Sequence, residues 1–171
     1  MHKDPVGKRF IAGSKKCSNK VISKLFSKCL KLILNHLKKY DKVVFNRTGL
    51  KCYWIIDNSI EFLNDIENLS TNHLESYDFS TLYTMLPHNR IKEALGNIFR
   101  KVFTRESKTY INVYQHKAYF SNQNSRGFTS FREMDLDKIL LFILENIYVR
   151  FGNKVAKQKI GIPIGLDSGY C

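Results

Sequence analysis

From Asn19 to Tyr40, apolar side chains return every three or four residues (Val21, Ile22, Leu25, Phe26, Cys29, Leu30, Ile33, Leu34, Leu37), and Lys20, Lys24, Lys28, Lys31 and Lys38 fall between them. A 3.6-residue period places the first set on one stripe and the lysines on the other side. The stretch is therefore predicted to be an amphipathic helix that needs an apolar layer to pack against. Two readings of its basic face stay open. The lysines keep a core helix soluble, their stems lying over apolar surface, or they meet phosphates. With 171 residues the chain is long enough for one domain with a sizeable core.

The rest of the chain reads as short mixed elements. Met1 to Gly13 is a loop or hairpin arm with Pro5, Gly7 and Gly13. Lys42 to Ile56 is β-rich, with a turn near Thr48-Gly49. Asn58 or Ser59 caps a helix to about Leu69, with Ile60, Phe62, Leu63 and Ile66 inward and an acidic outer face. His73 to Phe79 is a partly buried strand that delivers Asp78 near its end, and Pro87 opens a helix carrying Ile91, Ala94, Leu95, Ile98 and Val102. Tyr110 to Val113, Lys117 to Ser121 and Gly127 to Phe131 are short strands. Asp135 or a neighbour caps an apolar helix, Ile139 to about Val149, ended at Gly152. Lys154 to Ile160 is a strand, followed by the glycine-bounded turn Gly161-Ile-Pro-Ile-Gly165.

Charge narrows the partners. Lys and Arg number 28 against 15 Asp and Glu, for a net +13. Met1 to Lys51 holds 14 basic and 2 acidic side chains, Cys52 to Asp78 holds none and 6, and Phe79 to Cys171 holds 14 and 7. A basic first third followed by an acidic patch suits a polyanion-binding surface beside a cation or acid-base site. The longest apolar run, Ile139 to Leu144, is far below the roughly 20 residues of a membrane span, and no signal segment follows Met1. The expectation is an intracellular protein, nuclear or cytoplasmic, with no membrane partner. Cys17, Cys29, Cys52 and Cys171 show neither a C-x-x-C pair nor ligand spacing, so reduced thiols are expected.

The segment with the most chemistry is Asp78-Phe79-Ser80-Thr81-Leu82-Tyr83: a carboxylate at a strand end, a tight turn and, five residues on, an aromatic. Alone, such an Asp is more often a cap or turn residue, because it satisfies nearby N–H groups. Here it has company. MHKDPVGKRFIAGS precedes it and GIPIG follows. The first resembles the basic finger segment of the reverse transcriptases, the Asp78 segment their motif A, and GIPIG their glycine-rich motif B. The order matches over nearly the whole chain. DFSTLYTMLPHNRIKEAL and RFGNKVAKQKIGIPIGLDSG look most like reverse transcriptases of eukaryotic retroelements, the Penelope-like group above all.

The resemblance implies an RNA-directed DNA polymerase using an RNA template, a DNA primer and deoxynucleoside triphosphates, with Mg²⁺ or Mn²⁺ as cofactor. It implies an α+β partial right hand: residues 1–56 as a basic fingers region of hairpin and helix, and 57–171 as an incomplete palm sheet with packed helices and a β insertion at about 108–132. Asp78 would be the catalytic metal ligand, helped by the backbone carbonyl of Phe79. Tyr83 would lie under the incoming sugar and exclude a 2′-hydroxyl by bulk. Lys3, Lys8 and Arg9 would neutralise the triphosphate, Arg9 best because its planar fork suits phosphate oxygens. Gly161, Pro163 and Gly165 would let backbone approach the nascent pair. Without the resemblance, Lys3, Lys8 and Arg9 are solvated loop charges, Tyr83 is a core aromatic and GIPIG is only a turn.

The chain also departs from the pattern. The family's third motif, a turn with two adjacent carboxylates, does not occur before Cys171, and Asp167 is the only carboxylate after Glu145. The expectation is a fingers-and-palm fragment that does not polymerise alone, whose truncated sheet leaves an edge open to pairing. The alternative is a non-catalytic basic module that binds RNA or an RNA–DNA hybrid. A third reading is a basic domain that binds acidic proteins.

Overall fold

The computed structural model describes residues 18–56, 58–67, 73, 75–77, 82–115 and 117–162. They form an α+β structure: α1 (Lys20–Thr48), α2 (Ser59–Glu67), α3 (Leu82–Met85), α4 (His88–Glu106), β1 (Tyr110–Tyr114), β2 (Lys117–Ser121), β3 (Thr129–Phe131), α5 (Glu133–Glu145), β4 (Tyr148–Phe151) and β5 (Lys154–Lys157). Two compact units divide the chain, Met1–Leu34 with Thr81–Cys171 and Asn35–Ser80.

The first unit holds the core. The expected stripe on the first half of α1 is buried at Phe26, Cys29 and Ile33, with the small Ser23 and Ser27 between them. Phe26 meets Phe99 of α4 edge to face, 6.2 Å between centroids. Strands β2, β1 and β3 form an antiparallel sheet in that order. Alternation turns Ile111 and Val113 inward together with their partners Phe120 and Phe131. Phe120 then packs on Phe103 of α4 at 5.8 Å, and Leu136, Leu140, Ile143 and Leu144 of α5 close the core. Asn19 is buried and donates from Nδ2 to the Asn146 carbonyl at 2.8 Å, tying the start of α1 to the end of α5.

That tie explains one correction. The apolar run predicts a helix to about Val149, but α5 stops at Glu145 and Val149 lies in β4. With the Asn146 carbonyl taken by Asn19, and the Asn146 side chain donating back to Phe142 at 2.8 Å, no helical turn continues. Gly152, at φ 60°, heads the β4–β5 hairpin instead of ending a helix. β5 stops at Lys157, short of Ile160. Asp135 acts at the third position of α5 by accepting the Arg132 N–H at 2.9 Å. Pro87 sits one residue outside α4, at φ −66° and ψ 132°, where its carbonyl accepts from Arg90 and Ile91 at 3.1 and 3.2 Å.

The second unit corrects more. Lys42 to Thr48 is the end of α1, not a strand, and no strand occurs among the described residues from Leu50 to Ile56. In a helix already nucleated, the β-branched Val43 and Val44 cost only tenths of a kcal/mol each. Thr48 and Gly49 then close it: the Thr48 hydroxyl donates to the Val44 carbonyl at 2.8 Å, and Gly49, at φ 69°, donates to Phe45 at 2.8 Å. Beyond the turn, Asp41 accepts the backbone N–H groups of Cys52 and Tyr53 at 2.7 and 2.9 Å, serving a segment that has no ladder.

Asn58 caps α2 as expected, its Oδ1 accepting the Glu61 N–H at 3.0 Å. The expected inward face is not inward. Ile60, Phe62 and Leu63 are exposed, because no described element lies over them. Residues 73 and 75–77 carry no strand. Their polar groups serve one another, Glu75 accepting from His73 Nε2 at 2.8 Å and from the Tyr77 hydroxyl.

Candidate functional site

A helix as short as α3 leaves its carbonyls without partners, and what supplies them fixes what lies beside it. The chain after β5 does so. Ile162 donates its N–H to the Tyr83 carbonyl at 2.7 Å, and Gly161 donates to the Leu86 carbonyl at 2.8 Å. The Gly161 carbonyl accepts from His88 Nε2 at 2.8 Å, which fixes the ring proton on Nε2. Gly161 is buried at φ 87°, in the left-handed region that a Cβ disfavours. Both of its backbone polar groups are used. Tyr83 keeps 44% of its surface exposed, so its backbone is fixed while its side chain faces water.

Two of the expected site residues, Tyr83 and Gly161, are thus brought to one place across a long stretch of chain. Lys3, Lys8, Arg9, Asp78, Phe79, Pro163 and Gly165 lie outside the described residues. His88, Leu86 and Ile162 carry the junction without having been singled out in the sequence. Leu86 takes part only through its carbonyl and Ile162 only through its N–H, which no residue type announces. His88 is the first residue of α4, and a ring there could have drawn attention.

Electrostatic shifts are sparse. In the second unit, the Tyr77 hydroxyl first and His73 second hold the Glu75 carboxyl below its usual range, and the same bond raises Tyr77. Among the described residues, no group of three or more His, Cys, Asp or Glu is arranged to hold a metal ion. The expected metal ligand Asp78 is not one of these residues.

Compared with known proteins, the chain matches no family model, no curated sequence and no solved structure. No helix among the described residues is long and apolar enough to cross a membrane.

Proposed function

We propose that this chain is part of an RNA-directed DNA polymerase of the reverse transcriptase class, acting on an RNA template, a DNA primer and deoxynucleoside triphosphates. The observation that carries the proposal is the pairing of Tyr83 and Leu86 with Gly161 and Ile162. The resemblance makes these segments motifs A and B, which must face one another across a nascent base pair, and they share backbone hydrogen bonds.

In this reading the primer 3′-oxygen attacks the α-phosphorus and pyrophosphate leaves. Bound Mg²⁺ or Mn²⁺ supplies charge neutralisation and activation of the 3′-hydroxyl. Asp78 and the Phe79 carbonyl are the groups of this chain assigned to hold it. Arg9, Lys3 and Lys8 take the triphosphate oxygens. Tyr83 presents its ring to the sugar, with its backbone fixed by Ile162, and a fixed ring excludes a 2′-hydroxyl better than a mobile one. Gly161, Pro163 and Gly165 form the close backbone wall.

The test is primer extension on an RNA template by this chain joined to a downstream segment that supplies two adjacent carboxylates. Extension is expected with the parent and not with Asp78→Ala. In that joined protein, Tyr83→Val is expected to raise ribonucleotide incorporation on the order of tenfold or more. Equal extension with and without the Asp78 carboxylate would overturn the proposal.

A further inference from the structure

The three-stranded sheet of the first unit has a second face. Ile111, Val113, Phe120 and Phe131 point into the core, so Tyr114 and Tyr119, which alternate with them, point out. They are 46% and 40% exposed. Phe128, from the loop before β3, sits between them, 5.2 Å from the Tyr114 ring and 5.6 Å from the Tyr119 ring. The three rings form one cluster on the outside of the protein. Packing of the core does not require it, because the opposite face of the sheet already supplies the core residues.

The cluster is held rather than loose. Buried Asn112 donates from Nδ2 to the Gln123 carbonyl at 3.0 Å and to Ser125 Oγ at 2.8 Å, and its Oδ1 accepts from Ser130 at 2.6 Å. These bonds anchor the loop that carries Phe128 to the central strand. The Tyr119 hydroxyl reaches Ser125 at 3.4 Å. Lys28 of α1 donates to the Gln115 carbonyl, beside Tyr114.

Charge around the rings has one sign. From Ser107 to Arg132 the chain holds Lys108, Lys117, Arg126 and Arg132 and not one Asp or Glu. Lys117 is the cross-strand partner of Tyr114, and Arg126 lies in the loop two residues before Phe128. Neither has an ion-pair partner among the described residues. Exposed rings with unpaired cations and no carboxylates fit a ligand that offers flat π faces and regularly spaced negative charges. An acidic peptide offers the charges without the faces. A nucleic-acid duplex hides its base faces inside the stack.

We propose that the outer face of the β1–β2–β3 sheet is a binding surface for single-stranded nucleic acid: Tyr114, Tyr119 and Phe128 stack on bases, and Lys117 and Arg126 meet the flanking phosphates. The inference goes beyond the polymerase reading and does not depend on it, since it uses no residue of the Tyr83–Gly161 junction.

The experiment measures fluorescence anisotropy of labelled oligouridine titrated with the full chain. Tyr114→Leu with Tyr119→Leu is expected to weaken binding by about tenfold or more, and Tyr114→Phe with Tyr119→Phe to keep it, because the rings remain. Lys117→Gln with Arg126→Gln is expected to flatten the log–log salt slope by about one. Should the leucine pair lose the fold by circular dichroism, photocrosslinking of 5-iodouridine oligomers to the parent decides, with adducts expected on Tyr114, Tyr119 or Phe128. Unchanged affinity in a folded leucine pair, equal affinity for duplex RNA, equal competition by polyglutamate, or adducts only elsewhere would each overturn the proposal. None of these readouts involves catalysis, so failed primer extension leaves this surface standing, and failed stacking leaves the polymerase proposal standing.

Discussion

Cys29 lies in the packed stripe of α1, and burial pushes its thiol from the usual 9.0 up to about 12, the nearby Lys28 charge pulling only partly the other way. Because the folded value is the higher one, the unfolded chain loses this proton first as pH rises. The contribution to stability is therefore whole below about pH 9 and is lost as pH climbs towards 12. At mildly alkaline pH the thiolate fraction is roughly a thousandfold below that of a thiol of ordinary pKa. Iodoacetamide followed by peptide mapping is expected to mark exposed Cys52 quickly and Cys29 only as the protein unfolds; equal rates would refute this. Gly161 gives a second residue-scale prediction. At φ 87° an added Cβ costs about 1–2 kcal/mol, so Gly161→Ala is expected to lower the thermal midpoint and to speed exchange of the Ile162 amide, whose acceptor is Tyr83. That Gly161 and Tyr83 deserved notice was legible in the sequence. That they touch was not, since the bonds between them are made by main-chain groups common to every residue.

At the scale of elements, legibility followed how local the signal was. The α1 stripe, the Asn58 cap and the three short strands were written in periodicity and turn chemistry. The ends of α1 and α5 were not: a β-branched run suggested a strand where the helix continued, and the stop after Glu145 depends on Asn19, far away in sequence. The inward face of α2 was misjudged for a related reason, because an apolar stripe says that a face can be buried, not that something covers it. Where α4 and α5 meet, Gly96 lets them close. A Cβ there would stand 3.2 Å from Asp137 Oδ1, a buried oxygen with no hydrogen-bond partner. Glycine inside a helix costs about 1 kcal/mol relative to alanine, so two effects oppose. Gly96→Ala is expected to gain little in the parent but close to that full 1 kcal/mol once Asp137→Ala has cleared the contact. Urea unfolding of the four proteins of the cycle reads the difference, and strict additivity would show that Asp137 does not limit the approach.

For the whole molecule, the distribution of buried residues matters more than their number. Every buried side chain among the described residues belongs to the first unit, from Asn19 and Phe26 through Ile147, and none from Asn35 to Tyr77 reaches that state. The second unit instead exposes Trp54 at 72% and Ile60 at 70%. Its internal ties are mostly polar or partly wet, such as Asp41 bonded to Cys52 and Tyr53, and Lys38 and Lys51 set 5.8 and 5.5 Å over the rings of Tyr53 and Trp54. Opening free energy follows buried apolar contact, and a helical hydrogen bond open to water contributes little protection of its own. One helix should therefore behave as two. The first half of α1, Lys20 to Leu34, opens only with the core, whereas the second half, Asn35 to Thr48, opens locally. Native-state hydrogen exchange followed amide by amide is expected to show protection falling by orders of magnitude along α1 near Leu34–Asn35. Urea well below the unfolding midpoint should accelerate exchange in the first half more than in the second, because opening there exposes more surface. Uniform protection along the helix would mean that the second half is held by burial these residues do not show.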